Sequence, residues 1–418
     1  MFGFLRGRLI LVRIILLAAA MTLIVIGIAT IYAVGHPAEA GAGSKTGELG
    51  GFWEKQAQFA VLGILAFLFV NLFNYRYFGT VSYGLYALVL ILLAVVLLGR
   101  FVNLSFVPAI HGTHRWIQFT IGGRDLPAIQ PSEFCKLVYV LALAWYLRYR
   151  SNYSRFTALV VPFALTLLPM VLILLEPNLG TVLLMMPVLF TMLFVAGAKI
   201  KHLLIIILLA ILASPVLWHF MEDYQRTRIS CVLLQYEWVR NQAEQHPAFA
   251  QILVGRHKKY STAQWKNDWG YHLMRSKYAI ASGGATGYGF LKGPFVKYNF
   301  LPERHNDFIF SVIAHQWGFL GCVGLLGLYA IIIACGLEIA GNNIDPFGRL
   351  LAIGIVAIFA VEVIVNVSMS VGLMPITGLT LPLVSYGGSS LVVSMSLIGL
   401  LNNVGRCRPF TVAPKSFE

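Results

Sequence analysis

The chain is 418 residues long, 58% hydrophobic and only 11% charged, with a formal net charge of +14; a soluble protein carries about 25% charged residues. So few charges cannot coat a water-facing surface of this size, which excludes a soluble enzyme, a disordered chain and a disulfide-stapled secreted domain and leaves a polytopic membrane protein. In a soluble domain the basic balance would suggest nucleic acid; here the charges sit between hydrophobic runs, so membrane orientation and anionic lipid account for them, and no nucleic-acid partner is expected.

Apolar stretches able to cross about 30 Å of hydrocarbon recur along the chain. They lie near 14–34, 57–73, 81–99, 132–149, 156–175, 180–198, 203–220, 311–335, 350–370 and 388–403. These ten predicted helices define an all-α polytopic membrane fold in a single domain spanning 1–418, with both termini on one side. The first run follows Arg6, Arg8 and Arg13 and precedes Ala38-Glu39-Ala40, yet it exceeds the roughly 7–15 residues of a signal-peptide core, so it is expected to be a retained first span. Thirteen basic residues fall in short segments on the side of the N-terminus, against six on the other side outside the long loop. The positive-inside rule therefore puts both termini in the cytoplasm and the loop of about 221–307, between spans seven and eight, outside. Within that loop the stretch near 235–267 breaks hydrophobic periodicity and reads as an inserted surface elaboration. No internal repeat is visible, which disfavours an inverted-repeat transporter. The five cysteines are scattered singly, so neither a disulfide framework nor a zinc site is expected.

Ionisable side chains in or at the ends of membrane spans mark function by default, because burying them in hydrocarbon is unfavourable. Glu133 and Lys136 are three apart on the fourth predicted span and share one helix face; a neutralising ion pair and a substrate role both stay open. Glu362 and Asn366 are four apart on the ninth, where hydrogen bonding between helices accounts for Asn366. Glu176-Pro177-Asn178 reads as the turn between the fifth and sixth spans. His111 and His114 form an HxxH pattern without a third ligand, so no metal site is assigned there. The glycine-rich Ser282–Gly289 segment, soon followed by Lys292, is open to two readings, a flexible turn or a nest of N–H groups for phosphate oxygens. The loop around it holds twelve basic against seven acidic residues, a surface suited to an anionic, lipid-attached ligand. Asp307 stands directly before an apolar helix, where it could cap the helix or act as a general base tuned by partial burial and nearby cations.

The order and spacing of several motifs resemble the SEDS family (shape, elongation, division and sporulation), and within it the rod-shape branch, with the division branch as a near relative. The matching stretches are Arg115-Trp116-Ile117, Gln130-Pro131-Ser132-Glu133-Phe134-Cys135-Lys136, Glu176-Pro177-Asn178-Leu179-Gly180-Thr181 and Asp223-Tyr224-Gln225-Arg226. Ser282-Gly283-Gly284, Leu301-Pro302-Glu303-Arg304-His305-Asn306-Asp307-Phe308-Ile309-Phe310, Met374-Pro375-Ile376-Thr377-Gly378 and the run from Leu381 to Ser390 complete the set. The resemblance implies ten spans in a bacterial cytoplasmic membrane and a peptidoglycan glycosyltransferase that polymerises lipid II on the extracytoplasmic side, for elongation. It implies as partners a class B penicillin-binding protein transpeptidase and the elongation machinery. The family's essential aspartate carries over to Asp307, and its Pro-Ser-Glu glutamate and following lysine to Glu133 and Lys136. The chain departs from the family pattern at Asn178, His315, Gln316 and Glu362.

On this expectation Asp307 takes the proton of an acceptor hydroxyl while cations stabilise the departing pyrophosphate. Lys136 is the first candidate cation, followed by Arg226, Lys292 and Arg304. A divalent cation (Mg or Mn) is compatible with this chemistry, but no dedicated carboxylate cage is legible, so no cofactor is assigned. A lipid II flippase, a division-specific SEDS polymerase and a non-catalytic scaffold are the alternatives. A flippase needs polar lining through the membrane, whereas these residues cluster toward one side.

Overall fold

The computed structural model describes residues 9–36, 50–102, 104–110, 113–121, 124–125, 127–149, 156–255, 260–298 and 300–407. His111 of the HxxH pair and the N-terminal Arg6 and Arg8 lie outside them. The described helices are α1 (Leu9–Gly35), α2 (Phe52–Leu72), α3 (Tyr75–Leu98), α4 (Pro131–Leu147), α5 (Val160–Leu175, entered through a 3-10 turn at Phe156–Leu159), α6 (Leu179–Val195) and α7 (Ile200–Phe220). After these come α8 (Asp223–Leu234), α9 (Glu237–Gln245), α10 (Pro247–Val254), α11 (Thr262–Asn267), α12 (Tyr271–Gly283) and α13 (Pro294–Lys297). The last three are α14 (Ile309–Gly341), α15 (Pro346–Val371) and α16 (Gly388–Arg406).

Among the described residues eight helices are long and apolar enough to cross a membrane: α1, α2, α3, α5 with its 3-10 turn, α7, α14, α15 and α16. Two of the ten expected spans, α4 and α6, are shorter, at 17 residues each. Their starts match expectation, Pro131 opening α4 where its missing N–H is no loss and the Asn178 side chain capping α6 by accepting from Thr181 N–H; they are short because they end early, at Leu147 and at Val195, the latter just before Gly197 at a φ of +94°. The two short helices are packed among the longer ones. Nearly every α4 side chain is buried, and α15 packs on α14, α6 and α4 while α16 packs on α2. At the periphery α7 is apolar all round and buries only Leu203, the pattern of a helix facing hydrocarbon on most sides. The all-α expectation holds for the bundle. The 104–130 segment adds two antiparallel ribbons of two-residue strands, β1 (Ala109–Ile110) with β2 (Thr113–His114) and β3 (Thr120–Ile121) with β4 (Arg124–Asp125).

Two irregular stretches set up the site. The first is a break in α14 at Gly318, whose φ of 62° and ψ of −159° are not helical. Carbonyls before the break and N–H groups after it lose their helical partners, and the glycine-rich segment after α12 replaces them. Tyr288 and Gly289 donate to the carbonyls of His315 (3.1 Å) and Gln316 (2.8 Å), and Phe319 and Leu320 donate to the carbonyls of Gly284 (2.9 Å) and Ala285 (3.1 Å). Two N–H groups of this segment are therefore spent on mending a helix, which favours a structural clip over the phosphate-nest reading. A Cβ at Gly287 or Gly318 would collide with the opposing backbone, and both glycines have positive φ. Gly287→Ala and Gly318→Ala are each expected to destabilise the protein by about 1–3 kcal/mol, seen as a lower Tm in detergent. Gly324→Ala, on the same helix with open space around it, is expected to leave Tm unchanged or slightly raised.

The second is the Gly/Pro-rich stretch from Gly372 to Gly387. Gly372 ends α15 in the left-handed conformation, with Leu373 N–H reaching back to the Ser368 carbonyl (2.8 Å), as helix ends commonly do. Leu381–Ser385 are then all buried. Non-helical backbone inside a membrane bundle survives only when protein groups satisfy it, and here they do. The Tyr329 hydroxyl donates to the Pro382 carbonyl (2.6 Å), Gln56 Nε2 to the Ser385 carbonyl (3.0 Å), and Gly387 N–H to Gln56 Oε1 (3.2 Å).

Candidate active site

The turn at 302–308 presents Asp307. Its anchors are Leu301 and Phe308, both buried in an apolar cluster with Val34, Ala279, Phe295, Val296 and Val312. Arg304 is buried as well, and its guanidinium donates to the carbonyls of Phe295 (3.3 Å), Val296 (3.2 Å) and Val34 (3.2 Å). With no carboxylate among those partners, burial pulls Arg304 down to about 10. Glu303 is held at a φ of +49°, so its carbonyl accepts from both Asn306 N–H (3.1 Å) and Phe308 N–H (3.4 Å). Strain of this kind persists only where surrounding contacts over-determine it. Here they do: Ser385 Oγ donates to the Asn306 carbonyl (2.7 Å) and Tyr386 N–H to the His305 carbonyl (2.9 Å). Asn366 Nδ2 donates both to the Asp307 carbonyl (3.0 Å) and to the Leu379 carbonyl (2.7 Å). Asn366 is thus more than a helix-to-helix link; it ties the aspartate's own backbone to the Gly/Pro stretch.

The Asp307 carboxylate does not cap α14, whose start has no side-chain cap. It lines a cavity of about 950 Å³, together with Glu133, Arg115, Arg228, Trp116 and His272. Gly378, at a φ of +76°, keeps the space in front of it open: a Cβ there would stand 3.7 Å from Asp307 Oδ2. Burial raises the Asp307 carboxyl to about 6, helped by the negative Glu303 and opposed by Arg228 and Arg115. A carboxylate in that range is still mostly ionised at neutral pH and is a stronger base than an ordinary aspartate, the condition for proton abstraction.

Behind the cavity wall lies a buried triad. Lys136 Nζ stands 2.7 Å from Glu133 Oε2 and 2.5 Å from Glu362 Oε1, with all three residues at most 7% exposed. The expected pair on α4 is present, and Glu362 from α15 is its third member. Glu133 lines the cavity; Lys136 is not among the lining residues and meets the cavity wall only through its contact with Glu133. Arg226 lies elsewhere, its Nη2 donating to the His219 carbonyl at the end of α7 (2.7 Å). Lys292 is exposed at the end of the glycine-rich clip and does not line the cavity, and neither does Arg304.

Cations at the cavity come instead from Arg115 and Arg228. Arg115, of the Arg-Trp-Ile motif, donates from Nε to the Glu176 carbonyl (2.8 Å) and from Nη2 to the Pro177 carbonyl (2.6 Å), pinning the α5–α6 turn. In the same turn Asn178 Nδ2 donates to Ser132 Oγ (3.1 Å). Glu176 is buried with neither carboxylate oxygen hydrogen-bonded, and burial pushes it up to about 8 against the pull of Arg115. Arg228 was missed: it shares an α8 face with Cys231, three residues on, and both line the cavity, a placement that no local sequence pattern marks. The departures His315 and Gln316 sit at the helix break, fully buried: His315 Nδ1 shares a hydrogen bond with Ser282 Oγ (2.7 Å). Among the described residues no three His, Cys, Asp or Glu side chains are grouped to hold a metal ion.

Taken together, the bundle and this cavity define a multi-pass membrane protein with a carboxylate and paired cations at a polar pocket. The family model for the FtsW/RodA/SpoVE cell cycle proteins matches residues 13–408. The chain belongs to that family, for which SEDS is the collective name. It is 32% identical to the peptidoglycan glycosyltransferase RodA of Treponema pallidum, over 93% of this chain and 96% of the relative. It is 34% identical to the peptidoglycan glycosyltransferase MrdB of Escherichia coli, over 70% of this chain and 71% of the relative. Among solved structures it resembles a chain of a peptidoglycan synthase complex that coordinates polymerisation and crosslinking (TM-score 0.70, 30% identity, 94% of this chain and 96% of that one). The rod shape determining protein RodA of Thermus thermophilus is a further match (TM-score 0.61, 27% identity, 95% of this chain and 97% of that one).

Proposed function

We propose that the Asp307 cavity joins lipid II units into glycan strands for cell elongation. The chain is a peptidoglycan glycosyltransferase of the RodA/FtsW kind. The observation that carries the mechanism is the Asp307 carboxylate, unused in helix capping and turned to a cavity that also holds Arg115 and Arg228. The 4-hydroxyl of an acceptor sugar attacks the anomeric carbon of a donor. The new C–O bond forms as the bond to undecaprenyl pyrophosphate breaks, with inversion. Asp307 takes the hydroxyl proton, and the leaving oxygen keeps the electron pair of the broken bond. Arg115 and Arg228 face the pyrophosphate, a preorganised electrostatic contribution that needs no reorganisation during the reaction. Lys136 holds Glu133 in place at the wall, and Arg226 and Arg304 hold the scaffold through their carbonyl partners.

With α4 and α6 counted as spans the bundle has ten, both termini are cytoplasmic by their basic flanks, and the cavity opens on the extracytoplasmic side of a bacterial inner membrane. Likeness to a member of a synthase complex supports a class B penicillin-binding protein as partner. The test uses the purified chain with that transpeptidase and labelled lipid II. Long glycan strands are expected from the wild type. If it makes none, yet carries lipid II across liposomes, the flippase reading replaces this one.

A further inference from the structure

The inserted stretch near 235–267, expected only as a surface elaboration, does not line the cavity itself but buttresses the turn directly after it, which does. Helices α9, α10 and α11 fold with α8 around an apolar core that includes Cys231, Leu234, Val239, Leu253 and the fully buried Trp265. Arg240 lies over the Trp265 ring at 5.0 Å. This core grips the turn that follows α11 at three points. Asp268 N–H donates to the Gln264 carbonyl (2.9 Å), Gly270 N–H to the Trp265 carbonyl (2.7 Å), and Cys231 Sγ to the Trp269 carbonyl (3.3 Å). A Cβ at Gly270 would press into the Trp265 ring, so the close approach that fixes the turn requires glycine. From this turn Asp268, Trp269 and, at the start of α12, His272 all line the cavity that contains Asp307. Trp269 is half-buried and packs against the insertion's core, while the His272 ring lies parallel to Phe308, next to Asp307, at 6.2 Å.

None of these three groups has a part in the proton transfer or in holding the pyrophosphate. Their chemistry points to an uncharged polar ligand. An aromatic face carries partial negative charge and attracts the weakly positive C–H bonds on one face of a pyranose ring. A carboxylate accepts from ring hydroxyls, and a neutral imidazole both donates and accepts; burial holds His272 below its usual range. With Asp268, Glu303 and Asp307 all lining the cavity, a second anion beside this turn is disfavoured. Apolar and aromatic lining with a few placed polar groups is the general form of such a site.

We propose that the Asp268–His272 turn is a sugar subsite, in which Trp269 stacks on an N-acetylhexosamine ring and Asp268 receives its hydroxyls. This rests on the glycosyl-transfer reading and extends it to a residue set that the insertion's core holds in place. The ring belongs either to the incoming lipid II or to the growing strand. With the full chain, its transpeptidase partner and labelled lipid II, Trp269→Ala is expected to raise KM about three- to tenfold or to shorten the strands, and Trp269→Phe to restore most of the loss. A raised KM at unchanged strand length assigns the ring to the monomer; shorter strands at unchanged KM assign it to the strand. If Trp269→Ala alters neither, or Trp269→Phe is as impaired as the alanine variant, the subsite does not exist. A wild type that makes no strands defeats the glycosyl-transfer reading alone. The subsite is then decided by calorimetric titration with the soluble N-acetylglucosamine–N-acetylmuramic acid disaccharide. Binding lost in Trp269→Ala supports it, and equal or absent binding in both overturns it.

Discussion

Asp307→Asn is expected to lower strand formation by about 10²–10⁴-fold while raising, rather than lowering, the Tm of the purified protein at pH 7. The two effects share one cause. Burial, with Glu303 nearby, holds the carboxyl at about 6 against an ordinary 3.8. For an acid whose folded value lies above its unfolded one, the folded state binds more protons across that interval. Stability present below about pH 4 is therefore lost as pH rises through about 6. Asparagine cannot ionise, so at pH 7 the variant escapes that loss, while it can take no proton from the acceptor. Wild-type activity should in turn fall as pH drops through about 6, because the base becomes protonated. Strand yield between pH 5 and 8, beside thermal unfolding of both proteins, checks all three statements. A variant that is inactive and also less stable would mean that Asp307 holds the turn together rather than serving as the base.

Lys136→Met is expected to be the most damaging change to stability, at about 3–5 kcal/mol, because it leaves Glu133 and Glu362 buried without their ammonium. Glu362→Gln should be mild by comparison: one of two carboxylates is removed, a hydrogen-bond acceptor for Lys136 remains, and the triad loses its excess negative charge. Combining the two substitutions should recover part of the stability lost in Lys136→Met, since one orphaned carboxylate is gone, but should not recover strand formation if Lys136 is needed to hold Glu133 at the cavity wall. Tm and activity for the two single variants and the double variant form a cycle that separates folding from function. Additive losses in Tm would show that Lys136 and Glu362 are not coupled, contrary to their contact.

Charge sparsity and the recurrence of apolar runs were enough to establish a polytopic helical bundle, because a membrane tests each helix separately against hydrocarbon. Asp307 was legible as a position, and so were Glu133 and Lys136 as a pair, because residues three apart on a helix share a face whatever surrounds them. What stood beside them was not. Glu362 meets Lys136 across 226 positions of sequence, and Asn366 reaches the Asp307 carbonyl across 59; neither contact leaves a local pattern. The glycine-rich segment illustrates the same limit, since its composition permits a phosphate nest and a helix clip alike, and only the broken α14 decides that its N–H groups go to His315 and Gln316. Which cations face the cavity was likewise a matter of packing: Arg226 and Arg228 are two apart on α8, so they point to different sides, and only Arg228 lines the pocket. Hydrocarbon and helix periodicity act locally and so can be read from the chain alone. Proton affinity, cation placement and the seating of the Asp268–His272 turn depend on groups brought together from distant segments, and those the tertiary structure alone decides.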